Sequence, residues 1–189
     1  PQTLRVNHRQ LTRGGYITEL CREGIPVSIS PLSSSALTLH RPRPVHQIPG
    51  FSEGVVSIQD AAAQLVPWFL GPVTGQRVLD ACAAPGSKAC HLLESEPNMA
   101  ALWAIDLPER IPLIEQNFRR LGVEAVLLAG DASQPNAWWD GERFDAILVD
   151  APCSGAGVIR RHPDIRLHRR PEDLSASVAT QIKLLSALW

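Results

Sequence analysis

The sequence contains no Gly-x-Gly-x-x-Gly, and so lacks the glycine pattern that seats a dinucleotide pyrophosphate. It also lacks a phosphate-cradling Gly-x-x-x-x-Gly-Lys-Ser/Thr: no glycine precedes Gly86 at the right spacing, and Ala89 follows Lys88. Four cysteines, Cys21, Cys82, Cys90 and Cys153, show no paired metal-ligand spacing. No metal is expected, and a chain of this size needs no disulfide framework. Reduced thiols in a cytoplasmic setting are the expectation. No run approaches the roughly 18 apolar residues of a membrane helix, and no charged-then-apolar secretory signal opens the chain. A membrane partner is not expected. Solenoid repeats and low-complexity tracts are missing as well. The chain begins at Pro1 without an initiating Met, and is read as a piece of something longer. Lysine is scarce: Lys88 is one of only two, against sixteen arginines.

What is present fits a folded chain. A hydrophobic fraction of 44% over 189 residues gives one full domain and a smaller appendage. The net charge of −1 is unevenly spread, because residues 1–50 carry six Arg against two Glu and add His8, His40 and His46. A basic extension ahead of an acidic domain suits a polyanionic partner. The plainer alternative is that an Arg-rich surface only keeps the chain soluble.

Residues 1–50 are expected to form a small α+β appendage, with strands at Leu4–Asn7 and Val27–Ile29 and a short helix over Thr18–Arg22. Pro42, Pro44 and Pro49 then break regular structure. Residues 51–189 form the larger domain. Ser57 with Asp60 three residues later resembles a capping box, which predicts a helix from Ser57 carrying Ile58, Ala61, Ala62 and Leu65 on one face and ended by Pro67 and Gly71-Pro72. Strands are expected at Arg77–Cys82, Ala101–Asp106, Ala125–Asp131 and Phe144–Asp150, with helices over Lys88–Glu94 and Pro108–Leu121 and a stop at Gly122. Such alternation is the mark of βαβ units and a doubly wound, mainly parallel sheet. A last helix begins at Pro171 and carries Leu174, Val178, Ile182 and Leu185 on one stripe.

All four expected strands end at or beside aspartate: Asp80, Asp106, Asp131 and Asp150. Any one could be a helix cap or a turn residue. Four on one sheet edge call for donors, because crowded acids are costly without them. Nucleoside hydroxyls and an exocyclic amine supply such donors. Asp106 stands 20 residues after Gly86, the spacing at which doubly wound folds grip a ribose. Lys88 opposes its helix dipole unless an anion faces it. Cys153 follows Pro152 in a loop, with Arg160, Arg161 and His162 nearby; basic neighbours would lower its pKa. That run, continued by Arg166, His168, Arg169 and Arg170, suits phosphate contacts, though a solvated loop would look the same.

These strings resemble one known family: the bacterial 16S ribosomal RNA cytosine-5 methyltransferases of the Sun/Fmu (RsmB) type. The matching segments are Val78–Gly86 with Lys88, Ala104–Asp106, Gly130-Asp131 and the long run Asp150–Ile165. Leu4–Asn7 and Gly50–Gly54 with Gln59-Asp60 resemble the segment that joins the family's RNA-binding and catalytic parts. The resemblance implies a Rossmann-like methyltransferase fold with S-adenosyl-L-methionine as cofactor and 16S rRNA as partner. Residues 1–50 would be an RNA-binding or linker subdomain, and 51–189 a partial catalytic domain. Cys82, Ala83, Ala84, Pro85, Gly86, Ser87 and Lys88 would form the loop around the cofactor's methionine part. Asp106 would hold the ribose, Asp131 the adenine side, and Asp150 would stand between cofactor and base. Cys153 would assist release of the methylated product.

Two departures stand out. Ser87 occupies a position where the family has glycine, which puts cofactor affinity in doubt if that position needs positive φ or close approach. The family's covalent nucleophile lies in a Thr-Cys-Ser segment beyond this sequence, so the isolated chain is expected not to turn over. The missing later strands would leave the apolar stripe of the last helix and one strand edge exposed. Two other classes remain: a DNA-type cytosine methyltransferase in which Cys153 itself attacks, and a non-catalytic RNA-binding paralogue. Nothing in the sequence sets an oligomeric state; a monomer is the expectation.

Overall fold

The computed structural model describes residues 2–159 and 163–189. Arg160, Arg161 and His162, the start of the basic run, lie outside the described residues. The chain builds two sheets, one after the other.

The first unit is an antiparallel sheet of β1 (Gln2–Val6), β2 (Val27–Ile29), β3 (Ala36–Leu39) and β4 (Val56–Ile58), in the order β2-β3-β1-β4. One helix, α1 (Arg13–Arg22), begins where Thr12 Oγ1 accepts a hydrogen bond from the Gly15 amide at 3.1 Å. This is a standard N-cap. The helix therefore starts five residues before the expected Thr18. Its Tyr16 and Leu20 are buried against Leu4, Val6, Leu37, Leu39 and Val56.

The expected helix at Ser57 is not formed. Leu4, Arg5 and Val6 of β1 pair with Ile58, Ser57 and Val56, and Ser57 Oγ accepts from Arg120 Nη2 at 2.8 Å instead of capping a helix. A run of β-branched residues with a waiting sheet edge overrides a local capping pattern. The first sheet therefore reaches past residue 50. Helix α2 (Val66–Leu70) ends at Gly71, one of the two expected stops, but holds the other, Pro67, in its first turn; a missing amide hydrogen costs nothing there.

The second unit is a parallel sheet of β5 (Arg77–Ala81), β6 (Ala101–Asp106), β7 (Val126–Ala129) and β8 (Ala146–Val149), in the order β7-β6-β5-β8. Its fold is α/β and Rossmann-like. The chain steps outward from β5 to β6 to β7, then returns to the far side of β5. That reversal makes a switch point at the carboxyl ends of the strands, where open α/β sheets bind ligands. Helices α3 (Ser87–Ser95) and α4 (Ile111–Leu121) bury Ala89, Cys90, Leu92, Ile114, Phe118 and Leu121 with Val78, Leu102 and Ala104 of the sheet. Gly122, at φ +63°, ends α4 in the left-handed conformation, as expected.

A short helix, α5 (Ile165–His168), precedes α6 (Pro171–Leu188). Leu184 and Leu188 of α6 pack with Leu79, Ala81 and Ile105 on the other sheet face. The expected stripe looks outward: Leu174, Val178, Ile182 and Leu185 are each more than half exposed. Replacing Val178 and Ile182 together by Glu should leave the melting temperature unchanged, because surface changes usually stay within about 0.5 kcal/mol. Sedimentation should show less self-association than in the parent chain.

The two units meet on α3 and α4. Arg120 donates to the Phe51 and Val56 carbonyls at 2.8 and 3.0 Å, and its guanidinium lies 4.3 Å from the Phe51 ring centroid. Gly54, at φ +75°, comes so close to α4 that a β-carbon would sit 2.7 Å from the Arg120 carbonyl oxygen. Among the described residues, no helix is long and apolar enough to cross a membrane.

Candidate active site

The loop between β5 and α3 is held at almost every peptide. Cys82 adopts φ +62°, an uncommon conformation for a residue with a side chain, and turns the chain sharply off β5. The Ala83 amide donates to Ile105 O at 3.1 Å, and the Ala84 amide to Asp106 Oδ2 at 2.7 Å. The Ala84 carbonyl accepts from Arg110 Nη2 at 3.1 Å, and the Pro85 carbonyl from Asn117 Nδ2 at 2.8 Å. Gly86, at φ +91°, admits α4 so closely that a β-carbon would lie 3.1 Å from Ile114 Cγ2. Glycine is needed at position 86.

Position 87 is different. Ser87 is the first residue of α3, and Cys82 is the only non-glycine residue with positive φ among those described. Serine there carries no backbone penalty.

Asp106 ends β6 and is buried. Besides the Ala84 amide it accepts the Leu107 amide at 2.8 Å, and Arg110 approaches Oδ1 at 3.3 Å. Asp131 follows β7. Its carboxylate takes the Ser133 hydroxyl at 2.6 Å, the Ser133 amide at 2.9 Å and Gln134 Nε2 at 3.0 Å. Those donors hold its pKa down at about 2, so it is a fixed anion.

Between them lies a cavity of about 250 Å³ lined by Cys82, Asp106 and Asp131, closed by Pro152 from one side and by Thr180 and Lys183 of α6 from the other. Burial and the nearby Asp106 push the Cys82 thiol up to about 11. It stays protonated and is no nucleophile. A larger cavity of about 680 Å³ lies where the two units meet, lined by residues such as His8, Trp68 and His91. It contains none of the residues the sequence singled out for chemistry.

Asp150 follows β8 and forms an ion pair with Lys88. The anion that Lys88 needed at its helix start is therefore in the chain itself. Cys153 is exposed, with its Sγ 3.4 Å from the Gly155 amide. It does not line the cavity, although Pro152 beside it does. Of the rest of the basic run, Arg169 Nε donates to Ser154 O at 2.6 Å, tying that segment to the Cys153 loop.

Asp80 lies under this arrangement, fully buried; the Ala89 amide faces its carboxylate, and among the described residues no side chain donates to it. Burial, with Asp150 nearby, raises its pKa to about 7. Three further residues at the site escaped sequence reasoning. Arg110 stands one helical turn beyond Asp106, and Lys183, the second of the two lysines, reaches within 3.6 Å of Asp131. Thr180 lies one turn before Lys183. The spacing from Asp106 and the rarity of lysine were signals for the first two.

A family model described as 16S rRNA methyltransferase RsmB/F matches residues 67–189. The chain belongs to the RsmB/F methyltransferase family. A second model, the ferredoxin-like domain of RsmF/B-like methyltransferases, matches residues 1–46. Ribosomal RNA small subunit methyltransferase B of Pseudomonas syringae pv. tomato is 47% identical over 100% of this chain and 42% of its own length. The protein of that name from Vibrio cholerae serotype O1 is 48% identical over 100% of this chain and 44% of its own length. The chain thus spans less than half the length of these curated relatives. A crystal structure of a methyltransferase homologue from Pyrococcus horikoshii matches with a TM-score of 0.81 and 29% identity, over 99% of this chain and 59% of that one.

Proposed function

We propose that the whole protein of which this chain is part transfers a methyl group from S-adenosylmethionine to C5 of a cytosine in 16S rRNA. The observation that carries the proposal is the meeting of Asp106, Asp131 and Cys82, the first residue of the loop after β5, around one cavity at the carboxyl ends of the strands. The cavity suits an adenosyl group. Asp106 keeps a buried carboxylate beside it for the ribose hydroxyls, and the Asp131 side offers acceptors for the adenine amine. Residues 82–88 follow the methionine part, mainly through their backbone. Asp150 stands between cofactor and base. When bound, S-adenosylmethionine supplies an electrophilic methyl group.

The chain's own residues do the rest. The closing wall from Pro152, Thr180 and Leu184 excludes water, and the Lys88–Asp150 pair sets the charge where the base enters. Cys153, exposed beside the cavity wall at Pro152, assists release of the methylated base. The first unit, through residues 1–50, contributes the RNA-facing basic surface. The protein works in the cytoplasm as a monomer.

The test is transfer of labelled methyl groups from S-adenosylmethionine to 16S rRNA by the whole protein, followed by trapping on RNA containing 5-fluorocytosine. A trapped adduct that persists in the Cys153→Ala variant is the expected result. Loss of the adduct with Cys153→Ala would make Cys153 the attacking thiol. Absence of methyl transfer would leave only an RNA-binding role.

A further inference from the structure

Arg5 is fully buried, yet its partners lie mainly outside the unit that carries it. It projects from β1 onto α3. Nε and Nη2 form a fork with the two oxygens of Glu94, at 3.0 and 2.8 Å. Nη1 donates to Gln59 Oε1 at 2.7 Å and to the Ser87 carbonyl at 2.9 Å. Ser87 and Glu94 are seven residues apart on one helix, two turns along the same face. A single guanidinium thus grips α3 at its first residue and near its last.

The grip on Ser87 completes a pattern. Three carbonyls of the loop before Lys88 are each held by a side chain from elsewhere: Ala84 by Arg110, Pro85 by Asn117 and Ser87 by Arg5. Arg110 and Asn117 belong to the α4 segment of the same unit. Arg5 comes from the other unit. The peptide it holds leads directly into Lys88, whose ammonium pairs with Asp150.

We propose that Arg5 is a positioning residue for cofactor binding: from the first unit it fixes the Ser87–Lys88 peptide, joining the basic unit mechanically to the cofactor loop. This rests on the cofactor site proposed above. Arginine is required because both jobs are done by one planar fork; lysine can meet Glu94 but cannot also span to the Ser87 carbonyl.

The experiment measures the dissociation constant for S-adenosylmethionine by calorimetry on the 189-residue chain and on three folded variants, with melting curves for each. Arg5→Lys should bind roughly tenfold more weakly, the loss of about one charge-assisted hydrogen bond. Arg5→Met/Glu94→Leu removes both charges, leaves no unpaired ion behind, and should bind as weakly while melting near the parent temperature. Leu20→Ala opens a hole in the core of the first unit without touching α3. It should melt lower and bind like the parent. Parent-like binding by folded Arg5→Lys would overturn the proposal, as would an equal loss in Leu20→Ala, which would make the effect one of stability alone. If the double variant does not fold, Arg5→Lys decides the question. Absence of binding by the parent chain would be a different failure, that of the cofactor site itself.

Discussion

Replacing Asp106 by Asn should weaken S-adenosylmethionine binding by roughly 30- to 150-fold, the largest effect expected of any single change at the site. Asp106 is buried and acts as acceptor toward two backbone amides, those of Ala84 and Leu107. It shapes the loop and faces the cavity together. Asparagine keeps one acceptor and puts an amide where the other stood, so a donor meets a donor. A charged hydrogen bond lost in this way costs about 2–3 kcal/mol, which is the stated factor in affinity. Isothermal calorimetry reads it. The same change at Asp131 should cost less, because its carboxylate is partly exposed and water can replace a lost partner. Equal affinities for the parent and Asp106→Asn would remove Asp106 from the site.

The second large effect concerns stability and its dependence on pH. Asp80 has a folded-state pKa of about 7 against an ordinary 3.8. The folded chain holds this proton more tightly than the unfolded chain. Stability from Asp80 is therefore complete below about pH 4 and is lost as pH rises toward 7. His91 acts in the opposite sense. Burial, with Arg5 and His8 nearby, lowers its pKa from 6.5 to about 3, so stability is lost as pH falls through that interval. Between pH 4 and 6.5 the two slopes oppose each other, and the parent chain should show a nearly flat profile.

Asp80→Asn removes one of them. The variant should be more stable than the parent at pH 8 by about 2–3 kcal/mol, the ionisation penalty less the cost of burying an amide without partners. Below pH 4 the advantage should vanish. Urea titrations at several pH values measure both. A variant profile parallel to that of the parent would show that Asp80 does not titrate in this range.

Much of the second unit was legible because each element depends on its neighbours in sequence. The strand end at Asp106, the helix stop at Gly122 and the apolar stripe of α6 follow from periodicity and turn chemistry, whereas the outward face of that stripe was expected only from the family resemblance. The cavity lining includes Asp106 and Asp131 but neither Asp80 nor Asp150, so two of the four expected aspartates line it. The errors share one cause. Ser57 looked like a helix cap because its true partners, Arg5 and Arg120, lie 52 and 63 residues away. Ala36–Leu39 went unrecognised as a strand for the same reason, since it is completed by pairing with Gln2–Arg5. Ser87 was suspected of strain that only a backbone angle could dismiss. Arg5, an ordinary residue in a short β pattern, gives no sign in sequence that it will be buried against a helix eighty residues on.

The central claim is that the cofactor sits at the strand ends. An amide NMR titration of the chain with S-adenosylhomocysteine tests it directly, because larger cavities lie elsewhere among the described residues, one of them where the two units meet. Shifts concentrated at Ala83, Ala84, Lys88, Leu107 and Ala132–Ser133 are the result expected. Shifts concentrated at Leu32, Ser34, Trp68 and His91, with the strand-end amides unmoved, would contradict it.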